Sequence, residues 1–152
     1  MQTPLTSQIP VRAPVAVAER EALELAATMP VGRLAHGQAD QLLVIPVNFL
    51  LDDRDVLLRT AGGSGLLAAA RQNAPAVLEV DDLVNWSRSG WSVLIRGRLT
   101  EVTDPDEVQR VLSSKLSPWA GGEREHVVRL IGEQVTGRRI EPGPGGITVL
   151  HL

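Results

Sequence analysis

The 152-residue chain is 43% apolar and 22% charged, and its 15 lysines and arginines against 18 aspartates and glutamates leave a formal charge of −3. That suits one domain with a core of its own, and the scattered acidic balance argues against a nucleic-acid or anionic-membrane partner held by bulk charge. Cysteine is absent, which excludes disulfides, thiolate metal sites and a cysteine nucleophile. No apolar run or N-terminal signal pattern points to a membrane or to export, so a cytoplasmic location is expected.

Residues 1–17 hold Pro4, Pro10 and Pro14 without a hydrophobic period and read as an extended arm ahead of one domain over 18–152. From Glu19 to Met29 the apolar positions Ala22, Leu23, Ala26 and Ala27 fall at helical spacing, and Pro30 ends that helix. The period then becomes two. Val31 to His36 is a short strand followed by the turn Gly37-Gln38-Ala39-Asp40, and Leu42 to Leu51 is a longer one. Pro46 has no N–H for a ladder, so that strand is expected to be interrupted or at a sheet edge. Asp52-Asp53-Arg54-Asp55 reads as a hairpin turn into a strand over Val56 to Thr60.

Ala61-Gly62-Gly63-Ser64-Gly65 joins that strand to a short helix ending near Asn73. Glycines let a ligand approach the backbone, Ser64 is a good N-cap, and Arg59 adds a charge. A phosphate seat and a plain capped helix are equally good readings of the turn. It lacks the Gly-Lys-Ser/Thr ending of a P-loop, the third glycine of a dinucleotide fingerprint and the last glycine of a nucleophile elbow.

Ala76 to Asp81 is the next strand, a polar loop with Trp86 and Arg88 follows, and Ser89 to Val102 is the clearest strand of the chain. Asp104-Pro105-Asp106-Glu107 opens a helix with an acidic cap and a proline at its first position, and Val108, Val111, Leu112, Lys115 and Leu116 trace its inner stripe. His126 to Ile131 and Val135 to Ile140 read as two strands, and Ile147 to Leu152 as a closing one after a loop at Pro142 to Gly146. About six strands on short turns, with two or three inserted helices, predict a mainly β antiparallel barrel rather than βαβ units.

Six segments occur in order: Pro30-Val31-Gly32-Arg33-Leu34-Ala35, Ile45-Pro46-Val47-Asn48-Phe49, Leu58-Arg59-Thr60-Ala61-x-Gly63-Ser64, Leu78-Glu79-Val80-Asp81, Gly90-Trp91-Ser92-Val93-Leu94-Ile95-Arg96-Gly97 and Val135-Thr136-Gly137-Arg138. Together, over residues 19–140, they resemble the pyridoxamine 5′-phosphate oxidase-like, FMN-binding split-barrel proteins, particularly the small actinobacterial type. The resemblance implies a six-stranded split β-barrel forming a homodimer with flavin sites at the interface. It assigns the FMN phosphate to Arg59, Thr60 and Ser64, and the isoalloxazine ring to backbone groups of Pro46, Val47 and Asn48. Trp91 and Ser92 would approach the flavin from the partner chain, with Trp119 at the rim. In one respect the chain departs from the family, which commonly has lysine after the serine where this chain has Gly65. Arg71 shares the helix face but stands about 10 Å further along the axis.

The implied activity is an FMN-dependent oxidoreductase exchanging a hydride with a small organic substrate. The alternatives are a reductase using the deazaflavin F420, with Arg124, Arg129, Arg138 and Arg139 as candidates for its acidic tail, or a non-catalytic module that holds flavin or haem or has lost it. Each site residue also has a plainer reading. Arg59 would pair with Glu79, Trp91 would be core, Asn48 would cap a strand break, and Arg96 and Arg98 would form a solvated stripe. His36, His126 and His151 are far apart in sequence with no paired carboxylates, so no metal site is expected. No nucleophile–base pair is legible, which agrees with a protein whose cofactor supplies the chemistry.

Overall fold

A computed structural model describes residues 12–38 and 40–142. In chain order the elements are β1 (Val15–Val17), α1 (Glu19–Ala26), β2 (Val31–Gln38), β3 (Gln41–Asn48), β4 (Leu50–Asp52), β5 (Asp55–Thr60), α2 (Gly65–Arg71), β6 (Pro75–Val84), β7 (Ser89–Val102), α3 (Pro105–Leu112) and β8 (His126–Ile140). The strands form one antiparallel sheet in the order β3-β2-β6-β7-β8-β5-β4, with β1 added on β8. The two end strands of this sheet are consecutive in the chain and separated only by Phe49. A sheet whose ends are tied by one residue must curl until they meet, and the result is the split barrel. Six strands carry it, the three-residue β4 is the link that closes it, and the three-residue β1 is an addition on β8.

Alternation decides which side chains fill the barrel. The row Ile45–Leu34–Leu78–Ile95–Val135 crosses five strands on the inner face, and Leu34, Leu78 and Ile95 are fully buried. Each such side chain contributes about 1.5–3 kcal/mol of apolar burial. One residue along, Val44–Ala35–Val77–Arg96 faces outward. A smaller cluster of Leu57, Val111, Leu116 and Val127 lies under α3, whose cap Asp104 accepts a hydrogen bond from the Glu107 N–H at 3.0 Å. Arg129 of β8 ties the β4–β5 hairpin to α3 by pairing with Asp55, Asp52 and Glu107.

Pro46 lies on the edge strand β3, where its missing N–H costs no ladder bond, and the break falls at Phe49 instead. Several boundaries differ from the sequence expectation. The stretch read as two strands, His126–Ile131 and Val135–Ile140, is the single strand β8. Glycines make this continuity possible where the β7–β8 register shifts between Arg96 and Gly97. A Cβ on Gly97 would stand 1.7 Å from the Ile131 carbonyl oxygen, and one on Gly132 2.1 Å from that of Arg54. Helix α1 ends at Ala26, because Thr28 and Met29 donate three residues back, to Leu25 and Ala26, and tighten the last turn before Pro30. Within the expected extended arm, Val15–Val17 pairs with Gly137–Arg139 of β8. Lys115 is exposed because α3 stops at Leu112. Residues 1–11 of the arm, Ala39, the Ile147–Leu152 stretch and His151 lie outside the described residues.

Candidate functional site

Where the edge strand β3 approaches the end of β5 and the start of α2, the split in the barrel leaves a cleft of about 290 Å³. Its walls come from five places. Strand β3 supplies Leu43 and Ile45 with Pro46, Val47 and Asn48, and β5 supplies Arg59 and Thr60. Ser64, Gly65 and Leu66 come from the turn into α2, His36 comes from β2, and the loop after α3 adds Pro118, Ala120 and Arg124. Six of the eight residues assigned from the resemblance therefore meet in one place: Pro46, Val47, Asn48, Arg59, Thr60 and Ser64. Trp91 and Ser92 do not line it. They sit on β7, with Trp91 partly buried against the core and Ser92 opposite Asp81 and Arg138.

The turn is shaped by Gly63, whose φ of +74° is left-handed. Ser64 caps α2, its Oγ accepting the Leu67 N–H at 3.1 Å, and lies 2.7 Å from the buried Thr60 Oγ1. These two hydroxyls own two protons and share one between themselves, so the other is free to donate into the cleft.

Arg59 and Asn48 both act as clamps. The Arg59 guanidinium donates from Nε to the Arg124 carbonyl and from Nη1 to the Leu116 carbonyl, both at 3.1 Å. Asn48 Nδ2 donates to the Pro30 carbonyl at 3.1 Å, while its Oδ1 accepts the Trp119 N–H at 2.8 Å. Between them they hold the 116–124 loop against the barrel, with Trp119 exposed between the lining residues Pro118 and Ala120. Arg59 does not pair with Glu79, which lies 2.9 Å from Arg33 on the other side of the sheet order. Burial, with Asp81 beside it, raises the Glu79 carboxyl above its usual range despite Arg33.

Among the described residues, the charged ones lining the cleft are Arg59 and Arg124, with no carboxylate. Such a lining favours an anion. Arg71 is committed elsewhere. It grips Glu101 at 2.7 and 3.1 Å, and this, with a weaker contribution from His126, holds the Glu101 carboxyl below its ordinary range. Among the described residues, no group of three or more His, Cys, Asp or Glu is placed to hold a metal ion.

Two polar side chains of the lining, His36 and Arg124, lie outside the eight residues assigned from the resemblance. His36 is buried, with Nδ1 3.2 Å from the Gly37 carbonyl oxygen and Nε2 without a partner among the described residues. The alternation that turns Leu34 inward also turns His36 inward, so its burial was legible. Arg124 entered only as one of four basic candidates, and its place depends on how the loop folds back.

A family model described as pyridoxamine 5′-phosphate oxidase matches residues 18–139. The chain belongs to this family. An uncharacterized protein of Mycobacterium tuberculosis is 38% identical over 124 residues, covering 79% of this chain and 81% of that one. Solved structures share the fold. The FAD binding protein from Mycobacterium smegmatis superposes with a TM-score of 0.68 at 30% identity, covering 84% of this chain and 100% of its own. A FAD-binding protein from Mesorhizobium loti gives 0.70 at 25% identity, covering 86% and 100%.

Proposed function

We propose that the cleft seats a flavin nucleotide, FMN in the simplest case, and that the chain is a homodimeric flavin-dependent oxidoreductase acting on a small organic substrate. One observation carries this reading: six residues that the resemblance assigns to a flavin line a single cleft whose charged groups, among the described residues, are two arginines and no carboxylate. The FAD-binding relatives from Mycobacterium smegmatis and Mesorhizobium loti support it.

A bound flavin supplies two-electron hydride chemistry at its N5. The chain supplies the seat. Thr60, Ser64, Arg59 and Arg124 surround the position for the phosphate, while β3, as an edge strand, leaves a row of backbone groups open to the ring. At about 290 Å³ the cleft is at the small end for a ligand site, so a flavin overhangs it, and a second copy of the chain completes the enclosure. Leu42 and Val44, 87% and 66% exposed on the outer face of β3, supply apolar surface for that contact.

The visible spectrum of the purified protein, with FMN and FAD titrations followed by fluorescence quenching, tests the reading. Flavin bands, bleached by a nicotinamide donor and restored by an electron acceptor, are the expected result. A colourless protein that neither flavin quenches with nor protects against heat removes it. A Soret band substitutes haem, and deazaflavin binding without FMN binding substitutes that cofactor. Gly65 in place of lysine favours a second reading, a non-catalytic flavin carrier. A protein that binds flavin yet is never bleached by a donor selects it.

A further inference from the structure

Among the described residues, His36 and Thr60 are the buried polar side chains, 2% and 3% exposed, and both line the cleft. Thr60 is accounted for by its bond with Ser64. His36 is not, because its Nε2 is buried without a partner. Arg54 Nε, the other such atom, lies away from the cleft.

The hydrogen-bonding role of each ring nitrogen follows from its neighbours. Nδ1 lies 3.2 Å from the Gly37 carbonyl oxygen, which has no proton to give, so the bond forms in the tautomer that carries its hydrogen on Nδ1. Nε2 is then a bare lone pair, an acceptor with nothing to accept from. Its strand neighbours on the inner face, Leu43 of β3 and Ala76 of β6, are apolar and offer no donor. Buried acceptors are ordinarily satisfied, and one left open in a cleft wall points to a group brought in from outside.

We infer that His36 Nε2 accepts a hydrogen bond from an N–H or O–H group of the ligand bound in the cleft, and so helps determine which ligands the cleft takes. The inference rests on the flavin reading, and a flavin nucleotide carries donors of both kinds, the imide N–H of its ring and the hydroxyls of its ribityl chain. It adds to that reading a contact at the inner wall, made by a side chain rather than by backbone. It also requires the ring hydrogen to sit on Nδ1 both before and after binding.

Three measurements on the full chain test this. FMN is titrated into the wild type and His36→Leu by fluorescence quenching. Both proteins are melted without ligand. Long-range proton–nitrogen correlation spectra of histidine-labelled protein are recorded with and without FMN, the His36 signals being those that His36→Leu lacks. The expected results are an affinity lower by about tenfold in His36→Leu, the loss of one hydrogen bond, and a ligand-free melting temperature no lower than wild type. The Nε2 resonance should move from the bare-nitrogen position toward the hydrogen-bonded one as FMN saturates the protein. An unmoved Nε2 resonance at saturating FMN overturns the inference and leaves the flavin seat standing. Failure of the wild type to bind FMN overturns both. Where His36→Leu does not fold, the wild-type spectra decide the matter, because the three histidines are told apart by single substitution of the other two.

Discussion

At the scale of single residues, the site is held by side chains that serve the scaffold and the cleft together. Arg59 spends two donors on the carbonyls of Leu116 and Arg124, and Asn48 spends both ends of its amide on Pro30 and Trp119. Removing either therefore frees the loop as well as changing the cleft wall. Gly65 separates the two effects, since it is the first residue of α2 and, being glycine, holds no part of the scaffold with a side chain. Gly65→Lys should tighten FMN binding by about 1.5–3 kcal/mol, the worth of a charged hydrogen bond, and leave riboflavin, which has no phosphate, unaffected. An equal gain for both ligands, or none for FMN, would place the phosphate away from this turn. Arg59→Ala should weaken FMN binding and, through the freed loop, raise proteolysis between Leu116 and Arg124.

At the scale of elements, α2 is fastened to the sheet by a relay running from Arg71 through Glu101 on β7 to His126 on β8, with Glu101 2.7 Å from Arg71 and 3.3 Å from His126. Arg71, chiefly by its hydrogen bond, lowers the Glu101 carboxyl pKa on folding. A carboxyl with a depressed folded value adds stability above its unfolded value, and that stability fades as pH falls through the folded one. The wild type should thus lose stability on acidification from pH 5 downward, near and below the ordinary glutamate range of about 4.3. Glu101→Gln should flatten that part of the profile in chemical denaturation measured at successive pH values. Glu79 works in the opposite sense. Its raised carboxyl pKa makes folding less favourable as pH rises through that value, so the two groups partly offset each other.

For the whole molecule, the open question is the face outside the barrel at β3. Leu42 and Val44 are exposed on a sheet edge, and Ala35 and Val77 continue the outward row inward from Val44. An apolar row on an outward sheet face invites a covering surface. The proposed homodimer places that surface on a second copy and brings its Trp91 and Ser92 toward the cleft. Val44→Glu should convert the dimer to a monomer in analytical ultracentrifugation and weaken flavin binding in parallel, with the circular dichroism of the barrel unchanged. A wild type that sediments as a monomer, with or without FMN, removes the dimer from the proposal.

What the sequence determined by itself is what depends on near neighbours. The alternation through Leu34, Leu78 and Ile95 set the inward face, Asp104 and Ser64 set helix starts, and the order of short segments identified the family, because each of these is written within a few positions of chain. Only the tertiary structure decided the rest. It showed that β3 and β4 close the sheet, that Gly97 and Gly132 let β8 run unbroken, and that the loop after α3 returns to Arg59 and Asn48. It also showed that Arg71 belongs to Glu101 and that His36 faces a cleft rather than a filled core. Those facts join residues tens of positions apart, and such contacts are chosen by the packing of the whole barrel, where no local preference carries them.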